Sequence, residues 1–518
     1  MPLSCYYSDM QRLKPLINNA PLGILVISLM GVYLTSLAPG LTWANYGTDG
    51  GDLITAAATE GVAHPTGYPV YLILARLFQL LPVGSLAFRT NLMSAVAAVA
   101  AALLVYGLVT RYLSPSLTHP VWLASLAAGL AFGLSPLIWS QAVITEVYTL
   151  HSLFVALLLI LFVIPLSAHY TQKRMDCLLG LTFGLAMGNH LTTLLILPII
   201  LFSTIHRKPD SAQGKHWFNT WQLDGGSLLR RLLWMMVGLL VYLVLPLRAL
   251  SHPPVDWGNP VTLNGFVWLV SGKIYQGLLL SLNFPSVLQR VQIVIALLLE
   301  QFGIIGITAG FVGLIVFFKP TRLNFYMLWI VIASSAFAIG YATADAYMYL
   351  IPAFLCFAVW IGMGLGRTME IFSKRSRIVG VGIGLVLILV LLVQAWKAWP
   401  AVDASHDQRA ESFGESVLSI APAHAIVFAN GDEAVFTLWY YQYALRDRSD
   451  LAIISTDLLQ FNWYLQTLRS TYPDLNLPGP YPFTETVVVA NPARPVCYVR
   501  YIQVPEINCL PAGDPPLR

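Results

Sequence analysis

The chain has 518 residues, of which 57% are hydrophobic and only 10% charged, with a formal net charge of +4. Soluble proteins carry about 25% charged residues, so this composition excludes an ordinary soluble enzyme. No block of Lys or Arg forms a nucleic-acid patch, and no Cys/His spacing fits a zinc site.

Long apolar runs joined by short loops predict an all-α polytopic membrane bundle. The runs fall at 21–38, 89–110, 120–138, 147–165, 176–188, 191–205, 232–248, 302–318, 323–342, 346–366 and 378–397. Since a span needs roughly 17 to 25 apolar residues, they amount to about eleven helices. The first reads as a retained span, because no small-x-small cleavage site follows it. The two short runs 176–188 and 191–205 meet at Gly188-Asn189-His190 as a hairpin that only partly crosses. Segment 68–82, bracketed by Pro69 and Pro82, reads as interfacial.

With a cytoplasmic N-terminus, sixteen Lys and Arg between Arg12 and Arg377 fall on one side of the membrane. The positive-inside rule then puts the excursions 39–88 and 249–301, and the C-terminus, on the extracytoplasmic side. The membrane domain covers 1–397 and a small extracytoplasmic α/β domain covers 398–518. In that tail "HAIVFAN", "LAIIST", "TVVVAN" and "VCYVRYI" read as strands and "DEAVFTLWYYQYALR" as a helix. Cys497 and Cys509 are predicted to pair, because the tail faces an oxidising compartment and the segment between them folds back around Pro505. Cys177 and Cys356 read as inert buried thiols.

The polar residues gather on the extracytoplasmic face. In "YGTDGGDLITAAATEG", Asp49 and Asp52 stand at the start of an amphipathic helix lying along the membrane surface. They form either a capping box or a pair of carboxylates facing water and lipid head groups. His64, in the turn "HPTGYP", binds a phosphate, orients a carboxylate or bonds backbone. Glu146 sits at the mouth of the fourth span, His190 at the tip of the hairpin and Arg248 at the outer end of the seventh span. Arg suits phosphate because its planar fork donates two parallel hydrogen bonds. Asp345 and Tyr347 add to the same side.

The blocks "DGGDLITAAATEGVAHPTGYPVYLILARLFQLLP", "WSQAVITEVYTLH", "GLAMGNHLTTLLILP" and "LPLRALSHPPVDWGNP", in this order over about residues 20–280, resemble a family of polytopic proteins. Its animal members are protein O-mannosyltransferases acting on plexin-type receptors. The resemblance implies the GT-C glycosyltransferase fold, a polyprenyl-phosphate sugar donor and an acidic residue in the first external loop. The family reads Asp-Ser-Gly-Glu where this chain has Asp49-Gly50-Gly51-Asp52, so the second acid is one methylene shorter.

These readings combine into an inverting transfer of a sugar, mannose by the resemblance, to a protein or glycan acceptor. Asp49 would take the acceptor's proton, with Asp52 supporting it or ligating an optional divalent metal. Arg248, His64 or His190 would hold the carrier phosphate. The alternatives are a transporter or lipid flippase, which places ionisable groups near the midplane, and a non-catalytic scaffold.

Overall fold

The computed structural model describes residues 19–113, 120–164, 167, 170–207, 221–316, 322–480 and 482–514. Arg12, Lys14, Lys208, Lys215 and Lys319, which counted toward the orientation, lie outside the described residues, as do both chain ends.

Helices dominate. They are α1 (Asn19–Ser36), α2 (Gly50–Ala58), α3 (Pro69–Gln79), α4 (Leu86–Leu113), α5 (Val121–Gly133), α6 (Pro136–Ala142), α7 (Tyr148–Val163) and α8 (Gln172–Met187). Then follow α9 (Leu197–Phe202), α10 (Gly225–Leu239), α11 (Val244–Ala249), α12 (Leu263–Val270), α13 (Phe284–Val316), α14 (Arg322–Gly340), α15 (Ile351–Ser373) and α16 (Arg377–Val402). A short antiparallel pair, β1 (Ile205–Arg207) and β2 (Trp221–Leu223), precedes α10.

Among the described residues, six helical stretches are long and apolar enough to cross a membrane, or seven when the α5–α6 pair, bent by 66°, is one span. The bend falls before Pro136, which lacks the N–H to continue the ladder. The runs expected at 147–165 and 176–188 form α7 and α8, of 16 residues each, and α9 has 6. These are shorter than a bilayer crossing requires. The chain is therefore a multi-pass membrane protein, with part of the expected set built from short helices. One boundary differs more: α13 begins at Phe284, inside the excursion expected over 249–301. Gln289, Arg290 and Gln292 break its apolar pattern.

Small residues let the helices touch. A methyl on Gly180 or Gly184 would run into the backbone of α10 at Arg231 and Met235, and one on Gly313 into α15 at Trp360. Such close approach replaces the hydrophobic drive that lipid cannot supply. Near the start of α8, the fully buried Asp176 is paired with Arg230 at 2.7 Å and Arg231 at 2.9 Å. His190 lies just past the other end of α8, about 20 Å away at 1.5 Å per residue.

After α16 come α17 (Arg409–Ile420), β3 (Ile426–Asn430), α18 (Asp432–Trp439), β4 (Ala452–Ser455), α19 (Asn462–Thr471), α20 (Thr484–Ala490), β5 (Val496–Ile502) and β6 (Val504–Leu510). The sheet order is β4-β3-β5-β6, with β3 parallel to both neighbours and β6 antiparallel to β5. β4 is wholly buried, and β3 is buried except at Asn430, as parallel strands covered on both faces should be. The expected strand "TVVVAN" is the helix α20 instead, turning Val487 and Val488 into the core. Cys497 and Cys509 face each other across the β5–β6 hairpin and form a disulfide.

This region is fastened to the first loop. Asp407 Oδ2 accepts from Thr42 Oγ1 at 2.7 Å and from the Trp43 N–H at 2.9 Å. The Trp43 ring lies 4.4 Å from that of Tyr501.

Candidate active site

The approach to Asp49 is strained. Asn45 and Tyr46 sit consecutively at φ 56° and 65°, a left-handed conformation costing about 1–3 kcal/mol per non-glycine residue. Asn45 is held there by bonds from its side chain to Val402 O (2.9 Å) and from Gln141 Nε2 to its carbonyl (3.1 Å). Asp49 then occupies the N-cap position of α2, yet its side chain makes no capping bond. The capping-box reading is thus not realised.

Nor is α2 an exposed surface helix. Residues Gly50 to Ala57 are all buried, because α18 packs over the helix. A methyl on Gly51 would stand 2.5 Å from Phe436 O, whereas one on Gly50 would meet Thr145 Cβ at an ordinary 3.5 Å.

Asp52, fully buried, is met by nitrogen donors on both oxygens. Its Oδ2 accepts from the His64 backbone N–H at 2.9 Å and lies 2.7 Å from His64 Nδ1. Its Oδ1 accepts from Trp257 Nε1 at 3.0 Å. The turn that delivers His64 closes through Gly67 N–H to His64 O at 2.8 Å, with Gly67 at φ 84°, a conformation that suits glycine. The other ring nitrogen, Nε2, stands 3.4 Å from Asp49 Oδ2, and 43% of the Asp49 side chain stays accessible. An imidazole therefore bridges one buried carboxylate and one open carboxylate.

Burial alone would push the His64 imidazole down. The Asp49 charge, then the Asp52 hydrogen bond and charge, reverse this and carry it to about 9, so His64 is cationic at neutral pH. Asp49 is raised above the usual carboxylate range even though its side chain remains accessible. Loss of water at the protein wall is the main cause, opposed by His64 and reinforced by Asp52, Asp345 and Glu433.

Glu146 is buried nearby, its Oε2 accepting from the Val147 N–H at 3.2 Å, and it faces Asp49 and His64 electrostatically. Asp345 joins the same cluster by charge, its Oδ2 accepting from the Tyr148 hydroxyl at 3.2 Å, whereas Tyr347 lies under the Arg290 guanidinium at 5.6 Å. His190 is linked through rings: His64 to Tyr68 at 5.0 Å, Tyr68 to His190 at 6.4 Å, and His190 to His151 at 5.0 Å. Arg248 is set apart. Its Nη1 donates to Gly61 O at 3.2 Å, and its charged neighbours are Glu60 and Arg76 rather than the Asp49 cluster.

Sequence reasoning missed Trp257, although it lies in the quoted block "VDWGNP". It also missed Asp432 and Phe436 of α18. The Phe436 ring stacks 6.4 Å from His64, and Asp432, four residues earlier on the same helix face, is pushed up to about 6 by burial and by the Asp49 charge. The signal was "GDEAVF", acids opening a helix, which reads equally as ordinary dipole compensation.

Asp52, the residue expected to ligate an optional divalent cation, is committed to other partners. Both Asp52 oxygens already accept from N–H groups, and among the described residues no group of three or more His, Cys, Asp or Glu is arranged to hold a metal.

The fold has solved counterparts. The ArnT structure from Cupriavidus metallidurans bound to undecaprenyl phosphate superposes with a TM-score of 0.58 over 93% of each chain at 13% identity. AglB from Archaeoglobus fulgidus, with an inhibitory peptide and a dolichol-phosphate, gives a TM-score of 0.50 over 95% of this chain and 70% of the other at 11% identity. The sequence narrows this further. Residues 49–213 match the family model of the protein O-mannosyl-transferase TMEM260 N-terminal domain, and residues 410–484 match TMEM260-associated domain 2. Protein O-mannosyl-transferase TMEM260 of Mus musculus is 27% identical over 84% of this chain, and the Dictyostelium discoideum protein of that name 25% over 88%. The chain spans 62% and 59% of the length of these two relatives. The chain is thus similar to this family in both its membrane and its C-terminal parts.

Proposed function

We propose that the protein is an inverting membrane glycosyltransferase that moves a sugar, mannose by analogy with its relatives, from a polyprenyl-phosphate carrier to a hydroxyl of a protein acceptor on the extracytoplasmic side. The observation that carries this reading is the open carboxylate of Asp49, backed by the buried His64–Asp52 pair. As the acceptor oxygen bonds to the sugar C1, its proton passes to Asp49. The bond between C1 and the carrier phosphate breaks, and the phosphate leaves with the electron pair. His64, cationic and held from behind by Asp52, keeps Asp49 ionised and oriented until that step. Arg248, set apart from Asp49 beside Glu60 and Arg76, is kept as the group that meets the carrier phosphate once the donor is bound. Arg230 and Arg231, paired with Asp176, stand near the start of the candidate span Gly225–Ala249, and Arg248, bonded to Gly61 O, stands at its far end; counting the first pair as cytoplasmic under the positive-inside rule supports an extracytoplasmic site. The division into a membrane part and a C-terminal α/β part belongs to this proposal too, with the limit moved from 397/398 to Val402, where α16 ends.

The experiment is to incubate the purified chain with undecaprenyl- or dolichyl-phosphate mannose and acceptor peptides. Release of carrier phosphate with formation of a glycopeptide of inverted anomeric configuration is the expected result. Movement of intact lipid-linked sugar across liposomes without cleavage would replace this reading with a flippase.

A further inference from the structure

We propose that Trp257 is the positioning residue of this site: its indole N–H fixes the carboxylate of Asp52, and through it the imidazole of His64. That this arrangement serves transfer by Asp49 rests on the function proposed above; the linkage of Trp257 to His64 does not.

Asp52 is fully buried, and its Oδ2 is taken by the two His64 nitrogens. Oδ1 has one hydrogen-bond donor among the described residues, Trp257 Nε1 at 3.0 Å. An indole N–H only donates, so its orientation follows from the packing of the ring. That packing comes largely from the C-terminal region: Trp463 at 5.4 Å, with Phe436 and Trp439 each at 6.3 Å. The backbone adds a second tie. Val62 N–H donates to Val255 O at 2.9 Å and Trp257 N–H to Val62 O at 3.3 Å, so the segment bearing Trp257 is bonded to the chain two residues before His64. Apolar filling alone would need only a ring; the bond to a buried anion needs the N–H.

The charged groups facing His64 are Asp49 and Asp52 at the start of α2, Glu146 before α7 and Asp432 of α18. Of these, Asp52 is the one bonded to Trp257. Without the indole N–H, the negative charge on Asp52 has one fewer donor to share it. The carboxylate then holds the imidazolium proton harder, and the midpoint of His64 rises. Oδ1 is also left free to turn, so Nε2 is no longer aimed at Asp49.

The test replaces Trp257 in the full chain by Phe and, as an isostere without the N–H, by benzothienylalanine. NMR of ring-labelled histidine reads the His64 midpoint, and steady-state transfer reads kcat and KM. Expected are a higher His64 midpoint and a kcat loss of roughly ten- to a hundredfold, the range for a hydrogen bond to a charged group, with KM changed less than about twofold. In an Asp52→Asn background the same replacements should add little. An unchanged or lowered midpoint with the isostere, or losses that simply add, overturns the proposal. A raised midpoint in a protein that transfers no sugar upholds Trp257 and refutes the function instead.

Discussion

Asp49 and Asp52 lie on opposite sides of one imidazole: His64 Nδ1 is 2.7 Å from the buried Asp52, and Nε2 is 3.4 Å from the accessible Asp49. Spacing alone cannot choose between two acids three positions apart, because both face the same side of a helix. Their surroundings make the choice, since only Asp49 has room for a substrate hydroxyl.

Asp49→Asn should therefore abolish turnover while leaving the melting temperature and donor binding nearly unchanged, since Asp49 makes no capping bond. Asp52→Asn should retain a fraction of the activity, lower by roughly ten- to a hundredfold. A fully active Asp49→Asn enzyme would remove Asp49 from the chemistry.

Stability should depend on pH through His64. Its folded pKa of about 9 lies above the ordinary 6.5, so the stabilisation from its protonated form is complete below pH 6.5 and is lost as pH rises through 9. The melting temperature should decline across that window, and the decline should be shallower in His64→Gln. Equal slopes in both proteins would show that the imidazole is not held as a cation.

The two glycines of the acidic motif should respond differently. Gly50→Ser, which reproduces the family's residue, meets only ordinary contact and should be tolerated. Gly51→Ala drives a methyl to 2.5 Å from Phe436 O and should cost about 1–3 kcal/mol as an overpacked site, or open the seam between α2 and α18. Limited proteolysis between α16 and α17 would report the opening; identical digestion of the two variants would contradict the packing described.

Arg248→Ala should slow transfer from every donor sugar by a similar factor, because a guanidinium on the carrier phosphate does not distinguish sugars. Arg76→Ala should show the same lack of selectivity. A defect confined to one sugar would move Arg248 from the phosphate to the sugar.

Some of this was legible in the sequence and some was not, for physical reasons. Hydropathy located the long helices, and the parallel strands at Ile426–Asn430 and Ala452–Ser455 announced themselves as short apolar runs. "TVVVAN" misled because β-branched residues favour strands only where a sheet receives them, and here tertiary packing takes a helix. The hidden part of the site is the long-range part. Asp52 meets a tryptophan 205 positions away, and no local periodicity records such a partner. Composition likewise cannot reveal that α2 is covered by a helix made from the last quarter of the chain.

That covering has a consequence for biogenesis. Gly51 must wait for Phe436, 385 residues later, which at 5–20 residues per second is about 20–80 s of translation. For that interval the loop bearing Asp49 and Asp52 has been made while its carboxylates are still unroofed. Covering of Asp49 and Asp52 thus waits on the C-terminal region, and a chain cut before Phe436 that inserts normally would carry these acids in an open trough rather than a chamber.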